Sequence, residues 1–201
     1  MSLPLRITHH DAISLIDYPS MRAITTDPRP MHWADLGCGD GTFTFALAQF
    51  LPPGSTIEAI DLRSTIKRQT TANGVTILPR KADFVKDELG LADLHGILMA
   101  NSLHYVRDQP ALLQKLKGQL RFSSQQPSAG DRSIAAAGPG SPLLLIEYDT
   151  DRATPVWVPY PVSFSTASKL LPAAGWTSMA RLGTRPSAFG RSNLYAVLAK
   201  S

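Results

Sequence analysis

One cysteine, Cys38, among 201 residues leaves no partner for an intramolecular disulfide and excludes a cysteine-built metal site. Charge is sparse as well. Charged residues make up 18% of the chain, Lys+Arg 20 against Asp+Glu 16 gives +4, and no basic run exceeds the pairs Lys67-Arg68 and Arg80-Lys81. An excess scattered in this way describes a solvated surface, so nucleic acid is not the favoured partner. No stretch approaches the roughly 18 apolar residues of a membrane span, and no charged leader precedes an apolar segment at the start. A soluble, cytoplasmic protein without a membrane partner is therefore expected. The five histidines show no ligand spacing, so no metal is expected either.

The chain does contain enough apolar residues, 43%, to fill one α/β core. Residues 8–18 read as a helix with Thr8 or Asp11 near its start, and 1–30 as an N-terminal helical cap ahead of a main domain over 31–201. Apolar runs predict strands at 31–36, 56–60, 75–78, 96–100 and 143–147, the last two uniform enough to be buried on both faces. Between them, helices are expected over 41–51, 64–72 and 109–121, the last opened by Asp108 as N-cap and Pro110. A Ser-, Ala-, Gly- and Pro-rich stretch, 122–142, is too long for an ordinary connection and reads as a flexible surface insertion. A final helix, 165–174, precedes strands at 177–184 and 193–199, joined too briefly for anything but an antiparallel return. The expectation is a Rossmann-like, doubly wound α/β fold. Its seven-stranded, mostly parallel sheet has the order 3-2-1-4-5-7-6, strand 7 antiparallel, with helices on both faces.

The most informative stretch is 33–45, Trp-Ala-Asp-Leu-Gly-Cys-Gly-Asp-Gly-Thr-Phe-Thr-Phe. A strand bearing the acidic Asp35 opens into Gly37, Gly39 and Gly41 and then into an amphipathic helix. Such a turn lets backbone approach a nucleoside-containing ligand. The acid ahead of the glycines calls for a ligand with a cationic end, which favours S-adenosyl-L-methionine over a phosphate-rich dinucleotide. An NAD fingerprint would need glycine where Thr42 stands. Asp61, at the end of the second strand and 20 residues past Gly41, can accept from both ribose hydroxyls.

These residues resemble motif I of the class I S-adenosylmethionine-dependent methyltransferases. The resemblance continues through Asp61, Asp83-Phe84 and Asn101-Ser102-Leu103-His104-Tyr105-Val106, from about residue 30 to the C-terminus with 122–142 interrupting it. Within the superfamily it is nearest to an uncharacterised bacterial group that carries versions of Glu147-Tyr148-Asp149 and Trp157-Val158-Pro159-Tyr160-Pro161. The resemblance implies a cofactor site made of Asp35, Gly37, Cys38, Gly39, Gly41, Thr42 and Asp61. Leu62 and Phe84 would wall the adenine, Asp83 would accept from its amine, and Asn101, Ser102 and Leu103 would complete the pocket. It also places His104 and Tyr105 nearest the methyl group, as the catalytic pair. In-line methyl transfer needs mainly positioning, with a base only where the acceptor carries a proton; His104, of the residue type that most often exchanges protons in catalysis, is the candidate. Glu147, Asp149, Trp157 and Tyr160 are candidates for an acceptor pocket. A small-molecule acceptor is the first reading. RNA or protein methylation, and a non-catalytic partner subunit that binds the cofactor, are the alternatives.

Overall fold

The computed structural model describes residues 7–121, 140–187 and 192–201. Positions 122–139 of the expected insertion lie outside the described residues. The chain begins with two short helices, α1 (His9–Ile16) and α2 (Pro19–Ile24). Thr8 and Asp11 form a reciprocal capping box at the start of α1. The predicted helix over 8–18 is α1; Pro19 then sets the first turn of α2, a second helix beyond it that was not expected.

Eight strands form one sheet: β1 (His32–Leu36), β2 (Thr56–Asp61), β3 (Gln69–Thr70), β4 (Thr76–Lys81), β5 (Gly96–Ala100), β6 (Leu143–Tyr148), β7 (Ser178–Pro186) and β8 (Asn193–Lys200). Their order is β3-β4-β2-β1-β5-β6-β8-β7. The pairs β1–β2, β1–β5, β2–β4 and β5–β6 are parallel, whereas β8 runs antiparallel to both β6 and β7. Apart from β3, this is the predicted order.

The predicted helix over 64–72 is corrected. Residues 69–70 form β3 instead, antiparallel to β4 through the Asn73-Gly74 turn. Consecutive threonines ahead of Asn-Gly favour a hairpin over a helix. Asn73 donates its side-chain amide to Ala48 O at 2.7 Å, and so closes the end of α3 (Thr42–Ala48).

Each sheet face buries its own apolar set. α1, α2 and α3 pack with Trp33, Ile57, Leu98 and Ile146 on one face. α4 (Gln109–Lys117) and α5 (Phe164–Ala173) pack with Leu36, Ile60, Met99 and Leu145 on the other. α1 and α2 thus belong to a helical layer of the main fold. Because β1 pairs with β2 on one side and β5 on the other, successive crossovers leave it in opposite directions. A crevice opens there, at the carboxyl ends of the strands.

Trp33 is fully buried beside Gly96, its register partner on β5, and a Cβ at position 96 would overlap the indole. Gly96→Ala should therefore lower stability by about 1–3 kcal/mol, as overpacking in a dense core does. Gly118→Ala, whose Cβ would meet only Lys115 O at 3.4 Å, should change it little. Urea unfolding of the two variants checks this, and equal stabilities would contradict it.

Candidate functional site

The glycine turn is held from three sides. The amides of Gly37 and Cys38 both donate to Ile60 O on β2, at 2.8 and 3.1 Å. Asp61 Oδ2 accepts from the Gly39 amide at 3.0 Å, while Oδ1 accepts from the Arg63 amide at 2.7 Å. On the β5 side, the buried Ser102 hydroxyl donates to Leu36 O at 2.6 Å. Gly37, Gly39 and Gly41 all have positive φ (83°, 53° and 88°), a conformation that disfavours side chains.

The glycines have different reasons for being bare. A Cβ on Gly37 would strike Ser102 Cβ, so the neighbouring strand enforces glycine there, beyond any collision with a ligand. A Cβ on Gly39 would meet nothing within 4 Å, which leaves backbone open to the crevice. Gly41 is the left-handed N-cap of α3 and would collide with Ile66 and Phe45; it does not line the crevice.

The crevice is a cleft of about 1190 Å³. Of the residues expected to hold the cofactor, Asp35, Gly37, Cys38, Gly39, Thr42, Asp61, Leu62, Asp83, Phe84, Asn101 and Ser102 line it, whereas Leu103 is buried outside it. Asp35 is 1% exposed; its Oδ2 accepts from the Thr44 hydroxyl at 2.5 Å, and its Oδ1 has no partner. Burial, reinforced by the Asp61 charge, pushes its pKa up to about 7 despite the Thr44 bond. Asn101, at a positive φ of 54°, also carries a buried Oδ1 with no partner. Both residues line the cleft, each with a buried oxygen that lacks a partner. Cys38 is no nucleophile at neutral pH, because burial and the Asp35 charge push its thiol up to about 12.

Leu62, 55% exposed, and Phe84 supply apolar surface near Asp61, and Val85 joins them, a residue that the sequence reading missed. Asp83 Oδ1 is engaged in capping the Val85 and Lys86 amides at 3.0 and 3.2 Å.

The far half of the cleft carries Tyr105, Tyr148, Tyr160 and Arg107. Tyr105 lines the wall. His104 lies behind it and is not part of the cleft lining. Its ring Nδ1 is 2.6 Å from Glu147 Oε2, its amide donates to Glu147 Oε1 at 3.1 Å, and its Nε2 is buried without a partner. Glu147 is buried with it. Asp149 accepts from the Phe164 amide at the start of α5 at 2.9 Å, and neither Asp149 nor Trp157 lines the cleft. Arg107 and Arg185 were missed, and nothing in a local motif points to them; Tyr148 lies inside the Glu147-Tyr148-Asp149 motif but was given no role. Thr8 and Asp11 of the α1 region close one rim. Among the described residues, no group of three or more His, Cys, Asp or Glu side chains is placed to hold a metal ion. No helix among them is long and apolar enough to cross a membrane.

No family profile matches the chain. In sequence, 116 residues (58% of the chain) are 34% identical to the trans-aconitate 2-methyltransferase of Mycolicibacterium gilvum (strain PYR-GCK). That match spans only 40% of the curated relative's length. In structure, the chain is similar to the magnesium protoporphyrin IX methyltransferase of Synechocystis PCC 6803, solved with S-adenosylmethionine bound. The TM-score is 0.59 at 16% identity, covering 96% of this chain and 79% of that one. Human N-acetylserotonin methyltransferase, also in complex with S-adenosylmethionine, gives 0.54 at 18% identity, covering 96% and 56%. An arsenic(III) S-adenosylmethionine methyltransferase of Chlamydomonas reinhardtii gives 0.53 at 14% identity, covering 94% and 72%. The chain has the fold of the class I S-adenosylmethionine-dependent methyltransferases.

Asp35 has a measurable signature without any ligand. Its folded pKa, about 7, lies above its ordinary 3.8, so between those values the folded chain binds more protons than the unfolded one. Stability contributed at this site is present below about pH 4, falls as the pH rises to about 7 and is level above that. Asp35→Asn should therefore gain on the wild type as the pH rises across that window. Urea unfolding at several pH values measures the difference, and a pH-independent difference would refute the assignment.

Proposed function

We propose that this chain is an S-adenosylmethionine-dependent methyltransferase acting on a small molecule. The observation that carries the reading is the pair of buried, partnerless acceptors, Asp35 Oδ1 and Asn101 Oδ1, on residues that line one cleft. An unpaired buried acceptor is costly, and a cationic ammonium group is the donor that suits a carboxylate and an amide oxygen together. Asp61 would accept from the ribose hydroxyls with the lone pairs that the Gly39 and Arg63 amides leave free. Leu62, Phe84 and Val85 would cover the adenine.

The bound cofactor supplies a methyl group already activated on a sulfonium for in-line displacement. What remains to the chain is position and the exclusion of water, and positioning can supply roughly 7–11 kcal/mol of a barrier. Tyr105 is the residue of the expected pair that would touch the acceptor. We assign His104 to positioning: through its two bonds to Glu147 it fixes the turn that presents Tyr105 and ties it to the end of β6. The relatives' names include a trans-aconitate and an N-acetylserotonin methyltransferase, which supports a small acceptor.

Calorimetry with S-adenosylmethionine tests the cofactor assignment. Asp61→Ala should weaken binding roughly ten- to hundredfold, the worth of a lost charge-assisted contact of about 1.5–3 kcal/mol. Unchanged affinity would sink the assignment. Release of labelled methyl is expected with a pool of metabolites and not with a pool of RNA; the opposite pattern would overturn the choice of acceptor.

A further inference from the structure

The charges of the cleft are unevenly divided. Asp35, Asp61 and Asp83 stand on or beside β1, β2 and β4, the half that holds the glycine turn. The cleft's cations are Lys86, Arg185 and Arg107. Lys86 has Asp83 at 3.6 Å, and Arg185 has Asp11 at 2.7 Å. Arg107 has no hydrogen bond or ion pair among the described residues. The acid next to it, Asp108, is turned away to cap α4, with Oδ1 accepting from the Ala111 amide at 3.1 Å. Among the described residues, Arg107 is therefore a cleft guanidinium without a carboxylate, and it stands beyond the end of β5, across β1 from Asp61 and Asp83.

Its surroundings suit an anion. Tyr105 and Tyr160, 51% and 39% exposed, offer ring faces and hydroxyls, and Tyr148 lines the same wall. Burial and the charge of Glu147 push the hydroxyls of Tyr105 and Tyr148 above their ordinary range, Tyr148 up to about 12, so both remain protonated donors at neutral pH. A guanidinium presents a planar fork of donors that matches a carboxylate, and phenol hydroxyls add donors around it.

We propose that the far half of the cleft takes an anionic small molecule, specifically a carboxylate, docked on the Arg107 guanidinium between the tyrosines. This deepens the methyltransferase reading and rests on it: the anion is the acceptor, or the part of the acceptor that orients it. Arg107 is then a specificity residue, with no part in holding the cofactor.

The test uses the full chain saturated with S-adenosylhomocysteine and the probe pairs phenylacetate/phenylacetamide and succinate/succinamide, followed by saturation-transfer NMR. At least one acid should bind roughly tenfold or more tightly than its amide, the margin of a charge-assisted hydrogen bond. That preference should vanish in Arg107→Gln and persist in part in Arg107→Lys, while S-adenosylhomocysteine affinity by calorimetry stays the same in all three proteins. Equal binding of acid and amide, failure of both acids to bind, or a preference that survives Arg107→Gln would overturn the assignment. If the wild type binds no S-adenosylhomocysteine, the calorimetry isolates that as a failure of the cofactor reading. The acid–amide comparison is then read on the unloaded chain with the same criteria.

Discussion

Asp35 sits at the carboxyl end of the central strand, sealed beneath a turn of glycines, with one carboxylate oxygen bonded to Thr44 and the other bonded to nothing. Burying a carboxyl group in this state is expensive, and the group responds by holding its proton until about pH 7. The neighbourhood makes that burial possible. Ser102 crosses from β5 to bond Leu36 O, the next residue along, and its Cβ occupies the space that a side chain at position 37 would need. Gly37, Ser102 and Asp35 thus constrain one another: the serine closes the floor, the glycine makes room for it, and the acid is trapped at the junction. A cation reaching Asp35 Oδ1 would relieve the cost, which gives an otherwise unfavourable arrangement a use.

The sheet order turns this local constraint into a divided cleft. Strands to one side of β1 bring Asp61, Leu62, Asp83 and Phe84; strands to the other bring Asn101, Tyr105 and Tyr148. Each half is fixed by bonds that cross between chain segments remote in sequence. Asp61 holds the Gly39 amide, and Glu147 holds both the ring and the amide of His104. These ties leave the turn and the tyrosine wall little freedom to shift independently, which suits chemistry that depends on alignment.

The legible parts of the sequence were those with a local physical signature. Uniform apolar runs placed β5 and β6, and the short link after β7 announced the antiparallel return to β8. The acid–glycine spacing located the turn and, with Asp61, the floor of the cleft. Residues 64–72 were misread as a helix because Thr70-Thr71 ahead of Asn73-Gly74 went unweighed there, where turn chemistry prevails. The setting of His104 could not be read at all. It depends on the β5–β6 register, which sets Ala100 opposite Ile146 and so carries Glu147 to the far side of the turn. Arg107 and Val85 escaped for the same reason: they belong to the cleft through strand order, and no spacing along the chain marks them.

The central claim, that Asp35 is a buried acid kept for a cationic ligand, is tested most directly by following its carboxyl carbon through a pH titration by NMR. In the free chain the resonance should titrate near pH 7. With S-adenosylmethionine bound, its midpoint should move downward, as the ammonium group stabilises the ionised carboxylate. A free-chain midpoint near the ordinary 3.8, or one that the cofactor leaves unmoved, would contradict the account.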